Sequence, residues 1–145
     1  MEIRIRRGRR TDYDALSTLG AWPEVAESPA RSIRMFRRVV ADLAYDLYVA
    51  EEGTTPVGLI AVSYVRALAL GGQRATLEQL VVAPERRGAG IGTRLLEFVL
   101  RRAAKRGARM FEAKPADEAA ARFLDRAGFR SNGTCYARLV SEGPG

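Results

Sequence analysis

The sequence predicts an α/β fold of the α+β type, organised as a single domain over residues 1–145. Three observations predict it. The β-rich runs Leu47 to Glu51 and Val57 to Tyr64 lie one short loop apart and read as antiparallel neighbours. Apolar stripes of helical period stand before and after them, the clearest from Gly90 to Arg106. The 145 residues, 47% apolar and 28% charged, are enough for one core, since a chain of this size buries roughly 70% of its unfolded surface.

In chain order, Ile3 and Ile5 alternate with Arg4 and Arg6 as in a half-buried strand, and Thr11-Asp12 starts a short helix through Leu19. Gly20 to Glu24 interrupts the pattern. Ser28-Pro29 opens a second helix whose stripe of Ile33, Phe36, Val40 and Leu43 is expected in the core. After the hairpin just described, Gly71-Gly72 closes an irregular stretch. Ala75 to Val82 forms the next strand, with Leu77 and Gln79 on one face and Glu78 and Leu80 on the other until a bulge or the strand end resets the count. Pro84 ends it. In the long helix Ile91, Leu95, Phe98, Val99 and Ala103 share a face, and Gly107 stands where a left-handed residue closes a helix. A strand over Arg109 to Ala113 follows, then a helix capped by Asp117 and ended by Gly128, then two short strands around the turn dipeptide Asn132-Gly133.

Composition narrows the chemistry. There is no histidine, which removes Ser-His-Asp and Cys-His nucleophile systems and histidine-based zinc sites. The single cysteine, Cys135, forms no intrachain disulfide, which is compatible with a cytoplasmic setting. The longest nearly apolar run, Val57 to Val65, is about half the length a membrane helix needs, so no membrane partner is expected. The balance of 24 basic against 17 acidic side chains gives +7, and 22 of the 24 are arginine. That bias argues against a nucleic-acid partner and for a solvated cationic surface, with steering of small anions as the second reading.

The informative segment is Val82-Ala83-Pro84-Glu85-Arg86-Arg87-Gly88-Ala89-Gly90-Ile91-Gly92-Thr93, with three alternate glycines between a strand and a helix. Amides bare of side chains converge there, and the helix start adds about half a positive charge, so a phosphate or pyrophosphate is the natural guest. Neither GxGxxG nor GK[ST] is present, but R-x-x-G-x-G is, as Arg87, Gly90 and Gly92. With Leu77 to Val82 before it and Ala120 to Phe129 after it, the chain resembles the GNAT superfamily of N-acetyltransferases over essentially its whole length.

The resemblance implies an acyl-CoA N-acyltransferase fold: a mixed, mostly antiparallel central sheet, split near its fourth and fifth strands, with helices on both faces. It implies acetyl-CoA as acyl donor, its pantetheine along Leu80, Val81 and Val82 and its pyrophosphate on the amides of Arg87, Gly88, Ala89, Gly90, Ile91, Gly92 and Thr93. Asp117 and Phe123 belong to the same implied cofactor set. Arg86 and Arg87 add charge at the phosphates, or Arg86 stays a solvated loop cation. A β-branched residue at Gly90 is expected to close the phosphate nest by crowding.

The implied reaction is direct attack of a primary amine, on a small molecule or a peptide, in a ternary complex. Glu78 is the candidate base, its other reading being a strand glutamate paired with arginine or facing solvent. An amide near Leu80 or Val81 would stabilise the oxyanion. Leu124 stands where many members carry a tyrosine for the leaving thiolate. The thiolate then leaves unprotonated, or Tyr136, Tyr64 or Cys135 serves it, or the protein is a non-catalytic acyl-CoA-binding module. Trp22 is a candidate wall of the acceptor pocket, or an anchor or exposed loop residue. Tyr45 and Tyr48 read as packing groups. The acceptor loops, Gly20 to Ser28 and Ala67 to Gly72, do not name the amine, and a homodimer stays open.

Overall fold

The computed structural model describes residues 2–21, 29–131, 133 and 138. The chain forms two compact units, Met1–Lys114 and Pro115–Gly145. In the first, strands β1 (Ile3–Arg7), β2 (Tyr45–Glu52), β3 (Thr55–Ala67), β4 (Gly72–Val82) and β5 (Ala108–Ala113) join in that order into one sheet. The pairs β1–β2, β2–β3 and β3–β4 are antiparallel, and β4–β5 is parallel. Helices α1 (Tyr13–Ser17), α2 (Pro29–Ala41) and α3 (Ile91–Lys105) complete this unit, and α4 (Glu118–Arg126) belongs to the second.

The β2–β3 connection is a two-residue hairpin: Glu52 faces Thr55 and Gly53 sits at φ +63°, in the left-handed region such tight turns require. On one sheet face Leu47, Val49, Leu59 and Ala61 pack with Leu16, Ala21 and Phe36 from the α1 and α2 side. Leu43 does not join them. Helix α2 ends at Ala41, so Leu43 lies beyond the helical stripe and is 84% exposed.

On the other face Ile91, Leu95, Val99 and Ala103 of α3 are buried as their spacing predicts. A Cβ on Gly58 would meet Leu95 Cδ1 at 3.1 Å and Ile91 Cγ2 at 3.3 Å, so the missing side chain of β3 lets the start of α3 settle on the sheet. Tyr48 packs against Phe98, ring centroids 4.7 Å apart.

One arginine of β1, Arg6, is less solvated than the composition predicts. Arg6 spans two buried carboxylates, giving Nε to Glu51 at 2.8 Å and both Nη atoms to Asp12 at 2.9 Å, and Arg4 also bonds Glu51. Burial pushes the Asp12 carboxyl up, but hydrogen bonds from Arg6 and the Arg9 amide outweigh it and hold it below its ordinary range. An alternating Ile-Arg strand thus becomes a clamp between β2 and the turn before α1.

In the second unit, Asp117 Oδ1 accepts from the Ala120 amide at 2.8 Å and caps α4. Gly128, at φ +92°, ends the helix, and the Phe129 amide returns to the Leu124 carbonyl at 3.0 Å. The strand pair predicted around Asn132-Gly133 falls largely outside the described residues, and Phe129, Arg130 and Ser131 are not in a strand. No helix among the described residues is long and apolar enough to cross a membrane.

Candidate functional site

The site begins where β4 and β5 part. Their parallel register runs from Gln73 opposite Ala108 to Leu77 opposite Ala113, while β4 continues to Val82. Beyond Leu77 that side of β4 has no strand partner among the described residues. The Ala83 amide donates to the Val57 carbonyl at 2.8 Å, and Leu59 lies opposite Val81. Antiparallel alternation then turns the backbone groups of Val81 toward β3 and those of Leu80 and Val82 toward the open edge. Of the two amides the sequence leaves as oxyanion donors, geometry retains Leu80 and removes Val81.

The open edge leads into a 3₁₀ turn, Pro84–Arg86, and then the glycine segment. Gly88 and Gly90 both take φ +83°, a conformation that disfavours a Cβ. The first backbone bond of α3 runs from the Arg94 amide to the Gly90 carbonyl, leaving the amides of Ile91, Gly92 and Thr93 without a helical acceptor. Those of Gly88 and Ala89 make no backbone hydrogen bond among the described residues. A Cβ on Gly90 would meet no protein atom within 4 Å, so a side chain there would crowd only a guest in the turn. Within the protein itself it is the left-handed backbone that demands glycine there.

Two adjacent arginines behave differently. Arg86 gives Nη2 to Glu52 at 2.5 Å and ties this turn to the β2–β3 hairpin, whereas Arg87 is exposed. Arg86 is therefore not the solvated loop cation of the second reading.

Glu78 occupies the bulge. Gln79 faces Ala61 and Leu77 faces Val62, so one extra residue of β4 sits between two consecutive partners of β3. The alternation expected for Leu77 and Gln79 breaks here: they fall on opposite faces, and Glu78 turns to the Gln79 side. Its Oε2 accepts from Ser63 Oγ at 2.5 Å. Gln79 Nε2 donates to the carbonyl of Ala21, just past the turn that follows α1. Tyr45, opposite Ser63 on β2, keeps its phenol above the usual range through burial and then the charges of Glu78 and Asp42. It borders the glutamate as well as packing.

Under α3 lies a network that sequence reasoning missed. Asp46, fully buried, accepts from Tyr64 Oη at 2.7 Å, from Arg102 Nε and Nη2 at 3.0 Å each, and from Arg106 Nη1 at 3.3 Å. Burial alone would raise its carboxyl, but these partners hold it below the ordinary range. Burial, then the bond to Asp46, keeps the Tyr64 phenol protonated far above its usual range. Bound to Asp46 on the face opposite Glu78, Tyr64 is a structural donor and not the acid considered for the leaving thiolate. Asp46 stands directly before the β-rich run Leu47 to Glu51, and strands are poor in this residue, so the strand reading stopped short of it.

Cys135, Tyr136 and Trp22 lie outside the described residues. In the second unit Phe123 is half-buried on α4, Leu124 is buried, and the Asp117 carboxylate is committed to its cap. Among the described residues no cluster of carboxylate or cysteine ligands is placed to hold a metal.

Comparison with known proteins places this geometry. A transcriptional regulator from Bacillus halodurans C-125 superposes with a TM-score of 0.84 at 25% identity, covering 95% of this chain and 99% of that one. Glucosamine-6-phosphate N-acetyltransferase from Arabidopsis thaliana gives 0.81 at 17% identity, over 97% of this chain and 100% of that one. A predicted acetyltransferase from Clostridium acetobutylicum, solved with acetyl-CoA, gives 0.79 at 17% identity, over 99% and 100%. No curated protein matches the chain by sequence. The Acetyltransferase (GNAT) family matches residues 13–129, a span that holds the parted strands, the glycine turn and the Glu78 bulge, and the chain belongs to that family.

Proposed function

We propose that the chain, acting as one domain over residues 1–145, is an N-acetyltransferase that passes the acetyl group of acetyl-CoA to a primary amine by direct attack in a ternary complex. The observation that carries this reading is the open β4 edge running into a left-handed glycine turn and an uncapped helix start. Bound there, acetyl-CoA supplies an activated thioester carbonyl. Leu80 and Val82 offer strand-like backbone groups to the pantetheine arm, and the amides from Gly88 to Thr93 receive the pyrophosphate. Arg87 adds a cation at the phosphates, while Arg86 holds the turn in place through Glu52.

The Leu80 amide faces the side where negative charge develops on the carbonyl oxygen, and such a donor contributes about 3 to 4 kcal/mol. Glu78 takes a proton from the acceptor's ammonium group, directly or through water, so that the neutral amine attacks, and the proton the nitrogen sheds after the C–N bond forms passes to water. With Tyr64 committed to Asp46, the CoA thiol leaves as thiolate, which the modest basicity of a thiol permits. The acceptor class includes small amines, amino acids, polyamines and peptide amines.

The test is CoA release from acetyl-CoA across a panel of spermidine, glucosamine 6-phosphate, free amino acids and lysine peptides, with calorimetric titration of acetyl-CoA alongside. Release with at least one amine supports the reading. Binding with no release on any of them overturns transfer. Gly90→Val, which forces a β-branched residue to φ +83°, is expected to weaken acetyl-CoA binding by about 10-fold or more, since such strain costs about 1 to 3 kcal/mol. Unchanged affinity would remove the pyrophosphate from this turn.

A further inference from the structure

Ser63 is the only small hydroxyl in the apolar run from Val57 to Val65, and it is 9% exposed on the sheet face that carries Leu59 and Ala61. A hydroxyl in such a place costs stability unless it has a partner. Its partner is Glu78 Oε2 at 2.5 Å, and the two meet only because the bulge carries Glu78 off the α3 face of the sheet. Glu78 Oε1 makes no protein hydrogen bond among the described residues.

We infer that Ser63 is the positioning residue of the reaction: its hydroxyl fixes Glu78 through Oε2 and leaves Oε1 free to receive the ammonium proton. This rests on the reading of Glu78 as base. Without Ser63 the exposed carboxylate would sample its rotamers freely, and part of that freedom would have to be lost in each turnover. The other charged or titratable groups around Glu78 are Tyr45 and Asp42 on the β2 side and Arg74, with Glu112 bridged to it at 3.2 Å, on the β4 and β5 side. None of these donates to Glu78 among the described residues.

The test is a kinetic cycle of Ser63→Ala, Glu78→Gln and the double variant, with Ser63→Thr as the conservative control. It uses acetyl-CoA and the panel amine that releases most CoA, followed across the pH range in which that amine titrates. Thermal melts confirm that each variant folds. Loss of one such bond is expected to lower kcat about 3- to 10-fold in Ser63→Ala. The KM for acetyl-CoA should hold. Threonine should restore most of the rate. In the Glu78→Gln background the alanine change should have no further effect. An equal loss in both backgrounds, or no recovery with threonine, would make Ser63 a packing residue and overturn the inference. If Glu78→Gln itself turns over normally, the base reading falls first and the inference with it.

Discussion

Asp46→Ala is expected to destabilise the protein by about 3 kcal/mol in urea denaturation at neutral pH. The carboxylate has no solvent exposure and is the meeting point of Tyr64, Arg102 and Arg106. Removing it strands the Tyr64 hydroxyl and leaves two guanidinium groups facing each other under α3. Deleting one partner of a buried ionic network costs about 3 to 5 kcal/mol. The lower end applies because Arg102 and Arg106 remain 31% and 25% exposed and can turn partly to water. The effect has a pH signature. The Asp46 carboxyl is held below its ordinary range in the folded state, so its contribution is complete above the unfolded value of about 3.9 and is lost as pH falls through the folded value. The stability gap between wild type and Asp46→Ala should therefore narrow below about pH 4. Glu51 and Asp12 make the same acid-sensitive contribution in both proteins, so they cancel in the difference. A gap independent of pH would show that shape and packing, rather than charge, explain the loss.

Glu78→Gln is expected to cut the rate of amine acetylation about 10²- to 10³-fold at neutral pH while leaving acetyl-CoA affinity intact, because positioned bases contribute on this scale. Glutamine preserves the volume and can still meet Ser63, so the change tests proton transfer and not the bulge. The deficit should shrink as pH rises toward the pKa of the amine, about 10.4 for a lysine-like group, since an amine already neutral needs no base to free its lone pair. A pH–rate profile of unaltered shape would remove Glu78 from the reaction.

Helix ends and strand runs were legible because their signals are local. Gly107 and Gly128 take the left-handed conformations their positions predict, and Asp117 caps α4 through the expected amide. The glycine turn was legible for the same reason. What escaped depends on contacts between distant segments. Asp46 meets Arg102 across 56 positions of chain and Arg6 meets Glu51 across 45, and no periodicity encodes such pairs. Leu43 kept the helical period after the helix had ended. At Glu78 a single inserted residue reversed the face of its neighbours, and strand alternation alone does not fix where such a bulge falls. The partnership with Ser63 was hidden with it.

Arg6 uses three nitrogens at once, Nε toward Glu51 and the two terminal ones toward Asp12, with Nη1 also reaching the Arg7 carbonyl. A lysine ammonium is one compact donor centre and could serve only one of those acids well. The near-absence of lysine from this chain is thus, at this position, more than a matter of codon usage. Two carboxylates on separate segments share one planar fork, and a drift to the other basic residue would leave either Asp12 without this cation or Glu51 with Arg4 alone.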